Sequence, residues 1–355
     1  MTRHRAILAA ILALGLARPV LAQPAAKPIE VRAVICTTWE YEKDGKDLFG
    51  ELKAWKERWP LTETLPFPGG NHALHYDPKT HVLAVVTGMG SSRGAASVTA
   101  LGHDPRFDLS RAYWLVPGTA GVDPKMASSG SVAWARWIVD GDYATEIDIR
   151  DVPAGWTTGM IPFGRTEPFQ LPAPPAQSAM ANMAYPLNVK LVDWAYGLSK
   201  DVKLADGPEL VERRKLYSGE GAREPFVLRG DTLTSVRFTY GGRRTDFARR
   251  WVDYWTGGKG VYTMGDMEDS GILQGLTQLA GAGKIDLNRV MVLRAGDGYT
   301  LPPPGVTPLQ QLNAGAKSGP PGMHEALENL YRAGSPVMRY LVDNWATTRD
   351  KVPGQ

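Results

Sequence analysis

"VLAVVTGMGSSRGAASVTAL", residues 82–101, joins a valine-rich apolar run to a glycine-rich turn and then to a run of small residues. The first five residues are β-branched enough, and short enough, to read as a strand, and the small residues that follow carry helical spacing. Strand, tight turn and helix form the unit from which α/β sheets are assembled. Gly88 and Gly90, with Met89 between them, let the backbone turn sharply and leave N–H groups at a helix start, a place that suits an anion or a polar ligand. Packing of helix on sheet explains the same glycines equally well. A dinucleotide fingerprint is disfavoured, because its third glycine, Gly94, comes one residue late.

Reading outward, the same alternation covers most of the chain. Strands are expected at 31–36, 82–87, 112–116, 132–138, 143–149, 235–240, 261–264 and 290–293, and helical periodicity at 47–59, 92–101, 185–199, 245–255 and 270–280. Two further helices, 322–334 and 335–346, close the sequence. Residues 155–186 depart from this pattern: prolines and aromatics alternate there, which predicts a loop excursion of the kind that serves as a lid or stays on the surface.

The first 22 residues combine a basic start, a short apolar run and small residues before Gln23, the pattern of a cleaved secretory signal. A secreted or periplasmic protein is expected, with 23–355 as a single domain. Loss of Arg3, Arg5 and Arg18, with no acid, cancels the net charge of +3. A neutral chain without a clustered basic face is a poor partner for nucleic acid. No later apolar run is long enough to span a bilayer. Cys36, the single cysteine, excludes an internal disulfide and reads as a buried, inert thiol. His72, His75 and His81 have no carboxylate or cysteine at ligand spacing, so neither a metal nor another cofactor is expected.

Four stretches could carry chemistry. In "YWLVPGTAGVDPK" a strand is expected to end at Gly118, Thr119, Ala120 and Gly121, whose small side chains would let a flat group approach the sheet edge. In "GVYTMGDMEDSGILQGL" (260–276) a strand runs into Asp266, Met267, Glu268 and Asp269 before a helix containing Gly271 and Gly275. A carboxylate such as Glu268 can accept two hydrogen bonds side by side, which matches a vicinal diol. Any of the three acids could instead cap the helix at its positive end. In "RVMVLRAGDGYTLPPP" (289–304), Asp297 is either a turn residue or, if burial raises its pKa, a proton donor. Glu40 and Glu42 follow the first strand beside Trp39 as a candidate base or a solvated acid pair.

Taken in order, these motifs resemble the nucleoside phosphorylase and nucleosidase superfamily, and within it the purine nucleoside permease family. The resemblance rests on Trp39-Glu40-Tyr41-Glu42, on "TGMG" before an alanine-rich helix, on "GTAGVDPK", on Trp156-Thr157-Thr158-Gly159 and on the pair Glu268-Asp269. It implies a nucleoside phosphorylase-like three-layer α/β/α fold with a central mixed, partly barrel-like sheet. It further implies Met267 beneath a ribose, Glu268 on its hydroxyls, Asp297 at the purine leaving group and Glu42, with Glu40 in reserve, on a nucleophilic water. Trp156 or Phe163 from the excursion is expected to stack on the base. Related phosphorylases place an arginine two residues before the Gly-Thr turn to bind phosphate; this chain has Val116, leaving only Arg93 nearby. The expected ligand is a purine nucleoside resembling adenosine, inosine or guanosine, hydrolysed at its N-glycosidic bond. The alternatives are a non-catalytic nucleoside-binding component of uptake, working with a separate transporter, and a phosphate-dependent phosphorylase. By analogy the resemblance also suggests a homo-oligomer.

Overall fold

A computed structural model describes residues 27–41, 49–178 and 180–355. Twelve strands form one mixed sheet. In chain order they are β1 (Ala33–Thr37), β2 (Glu63–Leu65), β3 (Leu74–Asp77), β4 (Val82–Val86), β5 (Tyr113–Val122), β6 (Val132–Trp134), β7 (Trp137–Asp140), β8 (Ala184–Pro186), β9 (Val227–Arg229), β10 (Asp231–Thr234), β11 (Tyr262–Asp266) and β12 (Val290–Tyr299). The main order is β8-β7-β10-β11-β5-β1-β4-β3-β2, with β12 also paired to β5 and linked through β6 to β9. The helices are α1 (Lys53–Arg58), α2 (Ser91–Gly102), α3 (Val189–Ser199), α4 (Pro208–Arg214), α5 (Gly242–Thr256), α6 (Asp269–Gly281), α7 (Pro308–Ser318), α8 (Met323–Asp343) and α9 (Trp345–Thr348). Among the described residues, none of the helices is long and apolar enough to cross a membrane.

The long strand β5 organises the molecule because it changes neighbours along its length. Its first residues lie parallel to β1, in register from Ala33 opposite Tyr113 to Ile35 opposite Leu115. Its last residues lie antiparallel to β11, with Gly265 opposite Gly121 and Met264 opposite Val122. Between these pairings one edge of β5 is released from both partners, and chain segments leaving β1 and β11 converge there. Crevices at such switches in strand order are where α/β sheets place ligands. The other edge of β5 is held throughout by β12, parallel from Val290 opposite Trp114 to Tyr299 opposite Val122.

Burial explains the strands. All five residues of β1 and all five of β4 are buried, as a sheet covered on both faces requires, so these segments read as continuous apolar runs rather than alternating ones. Cys36 belongs to this core, and burial pushes its thiol well above its ordinary pKa. Helix α8 packs on β5 and β12 and buries Ala326, Leu330, Ala333, Val337 and Leu341 along one side. The sequence suggests two helices here, yet the structure has one, with Pro336 inside it. Proline withholds one helical N–H, but the apolar stripe continues across it and packing keeps the turns aligned.

Other boundaries also move. The expected strand at 143–149 reduces to a two-residue pairing at Thr145–Glu146, and the one at 235–240 is replaced by β10, which ends at Thr234. Helices α4 and α7 lie where the sequence suggests neither. The excursion at 155–186 contains a two-residue strand at Met160–Ile161 and then β8, and it is otherwise irregular. Part of it packs on α5: Phe169 lies edge-on against Trp251, Tyr254 donates to the Gln170 carbonyl at 2.8 Å, and Met160 and Met183 join the same small core.

Candidate active site in the crevice of β5

Glu268 stands at the end of β11, where the sequence left capping and ligand binding open. The structure separates the two tasks. Asp266 is the cap: its Oδ1 accepts the backbone N–H groups of Glu268 and Asp269 at 3.0 and 2.8 Å and the Thr234 hydroxyl at 3.0 Å. A carboxylate there satisfies orphan donors at the positive end of α6. Asp269, fully buried, forms a two-pronged ion pair with the equally buried Arg294 of β12, Nε donating at 3.0 Å and Nη2 donating to the second oxygen. Burial above all raises the Asp269 carboxyl, and Arg294 opposes the rise.

Glu268 makes no cap. Its Oε1 accepts the Gly90 N–H at 3.1 Å and its Oε2 the Met267 N–H at 3.3 Å, while Arg294 Nη1 lies 3.7 Å from Oε2. The glycine turn therefore donates to Glu268, and Gly88 and Gly90 are not among the residues lining the adjoining cavity. The approach depends on close packing of α2 on α6: a Cβ on Gly271 would lie 1.9 Å from the Ser91 carbonyl oxygen. Burial raises the Glu268 pKa to about 7; Arg294 pulls it down, and Asp266 and Glu51 push it up.

Arg294 reaches this acid group by crossing β5. A Cβ on Gly118 would sit 2.0 Å from Arg294 Nη1, so glycine leaves the space through which the guanidinium passes. The same arginine donates to the Thr119 carbonyl at 3.2 Å. The small residues of "GTAG" thus continue β5 instead of ending it, and the group that approaches the backbone at Gly118 is a protein side chain. Thr119 lines a cavity, Gly121 lines a neighbouring one, and Ala120 is buried in a small apolar cluster.

Asp297 occupies a β-bulge. On β5, Ala120 and Gly121 are consecutive, whereas their partners Gly296 and Gly298 leave Asp297 between them as the extra residue. A bulge re-aims the side chain it carries. Asp297 is 5% exposed and its Oδ1 has no hydrogen-bond partner among the described residues. Burial first, and the charge of Glu51 second, raise its pKa to about 8. At neutral pH this carboxyl is mostly protonated and can donate.

Glu51 is the residue that the sequence did not reveal. It precedes α1, is 2% exposed, and faces the released edge of β5. Oε1 accepts the Thr119 N–H at 2.7 Å; Oε2 accepts the Thr38 N–H at 2.7 Å and the Thr38 hydroxyl at 2.9 Å. Glu40 does not line this cavity and instead accepts the Leu52 N–H at 2.9 Å, holding the start of α1. Glu42 lies outside the described residues. The leader at 1–22 does too.

A cavity of about 880 Å³ is lined by Glu51, Met89, Thr119, Met267, Glu268 and Asp297, among others. A second, of about 460 Å³, continues past Asp297 between Phe238, Tyr262, Tyr299 and Gln311. Both include Phe238, Asp266 and Asp297 in their walls. Six carboxylates line the larger cavity (Glu51, Glu209, Asp266, Glu268, Asp297 and Glu325), and no lysine or arginine does among the described residues. Arg93 is exposed and donates to the Met89 carbonyl. The expected aromatic partners are elsewhere: Phe163 packs on Tyr143 at 4.6 Å, and Trp156 sits half-buried in the excursion, and neither lines either of these two cavities. Phe238, from the loop after β10, is the aromatic that borders both. His75 pairs with the Thr64 hydroxyl and His81 with the Glu30 carbonyl, and no cluster suited to a metal occurs among the described residues.

Fold and crevice together define a nucleoside phosphorylase-like protein. An MTA/SAH nucleosidase from Neisseria meningitidis, solved with methylthio-immucillin-A, superposes with a TM-score of 0.52 at 12% identity, covering 88% of this chain and 99% of that one. The futalosine hydrolase of Helicobacter pylori gives the same score and identity over 88% and 98%. The purine nucleoside permease (NUP) family model matches residues 30–353, and the chain belongs to that family. The Schizosaccharomyces pombe protein named probable purine nucleoside permease C285.05 is 31% identical over 281 residues, 77% of this chain and 79% of the relative. The purine nucleoside permease of Candida albicans is 28% identical over 303 residues, 83% and 73% respectively.

Proposed function

We propose that the crevice binds a purine nucleoside and hydrolyses its N-glycosidic bond. One observation carries the reading: the carboxyl of Asp297, buried, with no hydrogen-bond partner at Oδ1 among the described residues and its pKa raised by burial to about 8, stands in the wall shared by two cavities, with Glu268 and Glu51 lining the larger one. The sugar rests against Met267 with its vicinal hydroxyls on Glu268. The base enters the smaller cavity beside Phe238. Asp297 gives its proton to a purine ring nitrogen as the bond from that base to C1′ breaks, and the bonding electrons leave with the base. The surrounding carboxylates favour the positive charge that develops on the sugar. A water oxygen then bonds to C1′ and passes a proton to Glu51, which lines the larger cavity. Glu51 releases its proton to solvent and Asp297 regains one from it, so the net reaction is nucleoside plus water giving base and ribose.

Water is favoured over phosphate as acceptor because the larger cavity, where the sugar is placed, offers a dianion no lysine or arginine among the described residues; Arg213 and Arg237 line only the smaller cavity, assigned to the base, and Arg294 is already committed to Asp269. The basic and apolar leader supports export to the periplasm or beyond. Purified protein incubated with inosine or adenosine, with and without phosphate, tests the proposal. Free base released without phosphate supports hydrolysis. Release only with phosphate, or tight binding with no turnover, refutes it in favour of a phosphorylase or a carrier.

A further inference from the structure

We infer that the outer part of the larger cavity recognises the 5′ substituent of the nucleoside, accepting a neutral or positively charged group and rejecting a phosphate. The inference rests on the nucleoside reading above. If Glu268 and Met267 hold the sugar and Asp297 marks the base, the lining left for the 5′ side comprises Trp39, Phe49, Glu209, Met323, His324 and Glu325. A volume of about 880 Å³ is at the large end of the ~300–1,000 Å³ usual for small-molecule pockets, so the sugar does not fill it.

Two kinds of side chain meet at this outer end. Trp39 and Phe49 have ring centroids 5.9 Å apart, and His324 packs edge-on against Phe49 at 5.5 Å, forming an aromatic wall. Opposite chemistry comes from α4 and α8. Glu325, in the first turn of α8, lies so close to the start of α4 that a Cβ on Gly207 would be 1.8 Å from its Oε1. Glu209 stands two residues beyond Gly207, in the first turn of α4, and lines the same cavity. Aromatic faces and carboxylates both attract a cation. His324 is the only basic side chain among the described residues lining the larger cavity, against six acidic ones, of which Asp297 is the one held protonated in the reading above. A 5′-phosphate would bring two negative charges into that field, whereas a 5′-ammonium would gain Glu209 and Glu325 as partners.

Calorimetry on the purified full chain with adenosine, 5′-amino-5′-deoxyadenosine and AMP tests this, with kcat/KM as the readout for any ligand that is turned over. The amine is expected to bind about three- to twentyfold more tightly than adenosine, the range for one or two partly exposed ion pairs. AMP is expected to bind at least about tenfold more weakly. In Glu209→Gln/Glu325→Gln the amine-to-adenosine affinity ratio should fall toward one. The single variant Glu209→Gln, at an exposed position, should move it partway and serves if the double variant does not fold. AMP binding as well as adenosine, equal affinities for amine and hydroxyl, or a ratio unchanged in the variants would overturn the inference while leaving the nucleoside reading intact. Failure of adenosine itself to bind would remove that reading and the inference with it.

Discussion

Replacing Asp297 with asparagine should stabilise the protein increasingly as pH rises. The side chain is 5% exposed, and its pKa stands at about 8 against an ordinary 3.8. Between those limits the folded chain keeps a proton that the unfolded chain gives up, so the slope of stability with pH is negative. At about 1.4 kcal/mol per pH unit, the carboxyl lowers stability by nothing below pH 4 and by on the order of 5 kcal/mol above pH 8. Asparagine keeps the shape and never ionises. The stability gap between Asp297→Asn and the parent should therefore open from near zero at pH 4, widen through neutrality and level off beyond pH 8. Urea unfolding of both proteins at pH 4, 5, 6, 7, 8 and 9 measures it. A gap that stays constant across this range, or closes as pH rises, would show that Asp297 ionises freely in the folded protein and could not act as an acid at neutral pH. The same variant should lose about 10²- to 10⁴-fold in hydrolysis, the usual cost of removing a positioned acid.

Other predictions concern its neighbours. Glu268→Gln should weaken nucleoside binding by about ten- to a hundredfold, corresponding to loss of one charged hydrogen bond, and calorimetry with inosine measures it. Arg294→Met leaves Asp269 buried without its counter-ion and should cost about 3–5 kcal/mol, read as a fall in the urea midpoint. Gly118→Ala places a methyl 2.0 Å from a guanidinium nitrogen of Arg294, a side chain that is fully buried and held by Asp269. Overpacking of that kind should lower stability by about 1–3 kcal/mol, and thermal unfolding would show it.

The legible and the hidden parts of the site differ for physical reasons. Glu268 and Asp297 could be found because each follows an apolar run at a strand end, where a charge calls for a partner or a task. Glu51 could not. It lies inside a stretch with helical periodicity, where an acid looks like part of a solvated face, and only the fold turns it toward β5. Phe238 was concealed by its own segment, whose alternation resembles a strand; after β10 ends at Thr234 the chain leaves the sheet and brings the ring to the cavities. The excursion misled in the opposite direction. Its aromatics and prolines suggest a cover for a ligand, yet Phe169 and its neighbours bury the aromatic face of α5. The α/β class followed from apolar runs alternating with helical ones, but the bulge at Asp297 did not, since a single unpaired residue leaves no mark on the spacing of side chains.

Because Asp266 anchors the first turn of α6, Glu268 is not needed to cap that helix. Such a division of labour separates the helix cap from the carboxyl assigned to the proposed ligand. A lineage, or an engineer, can revise the second while leaving the first untouched, and the crevice becomes a place where new specificities can be tried on an unchanged frame.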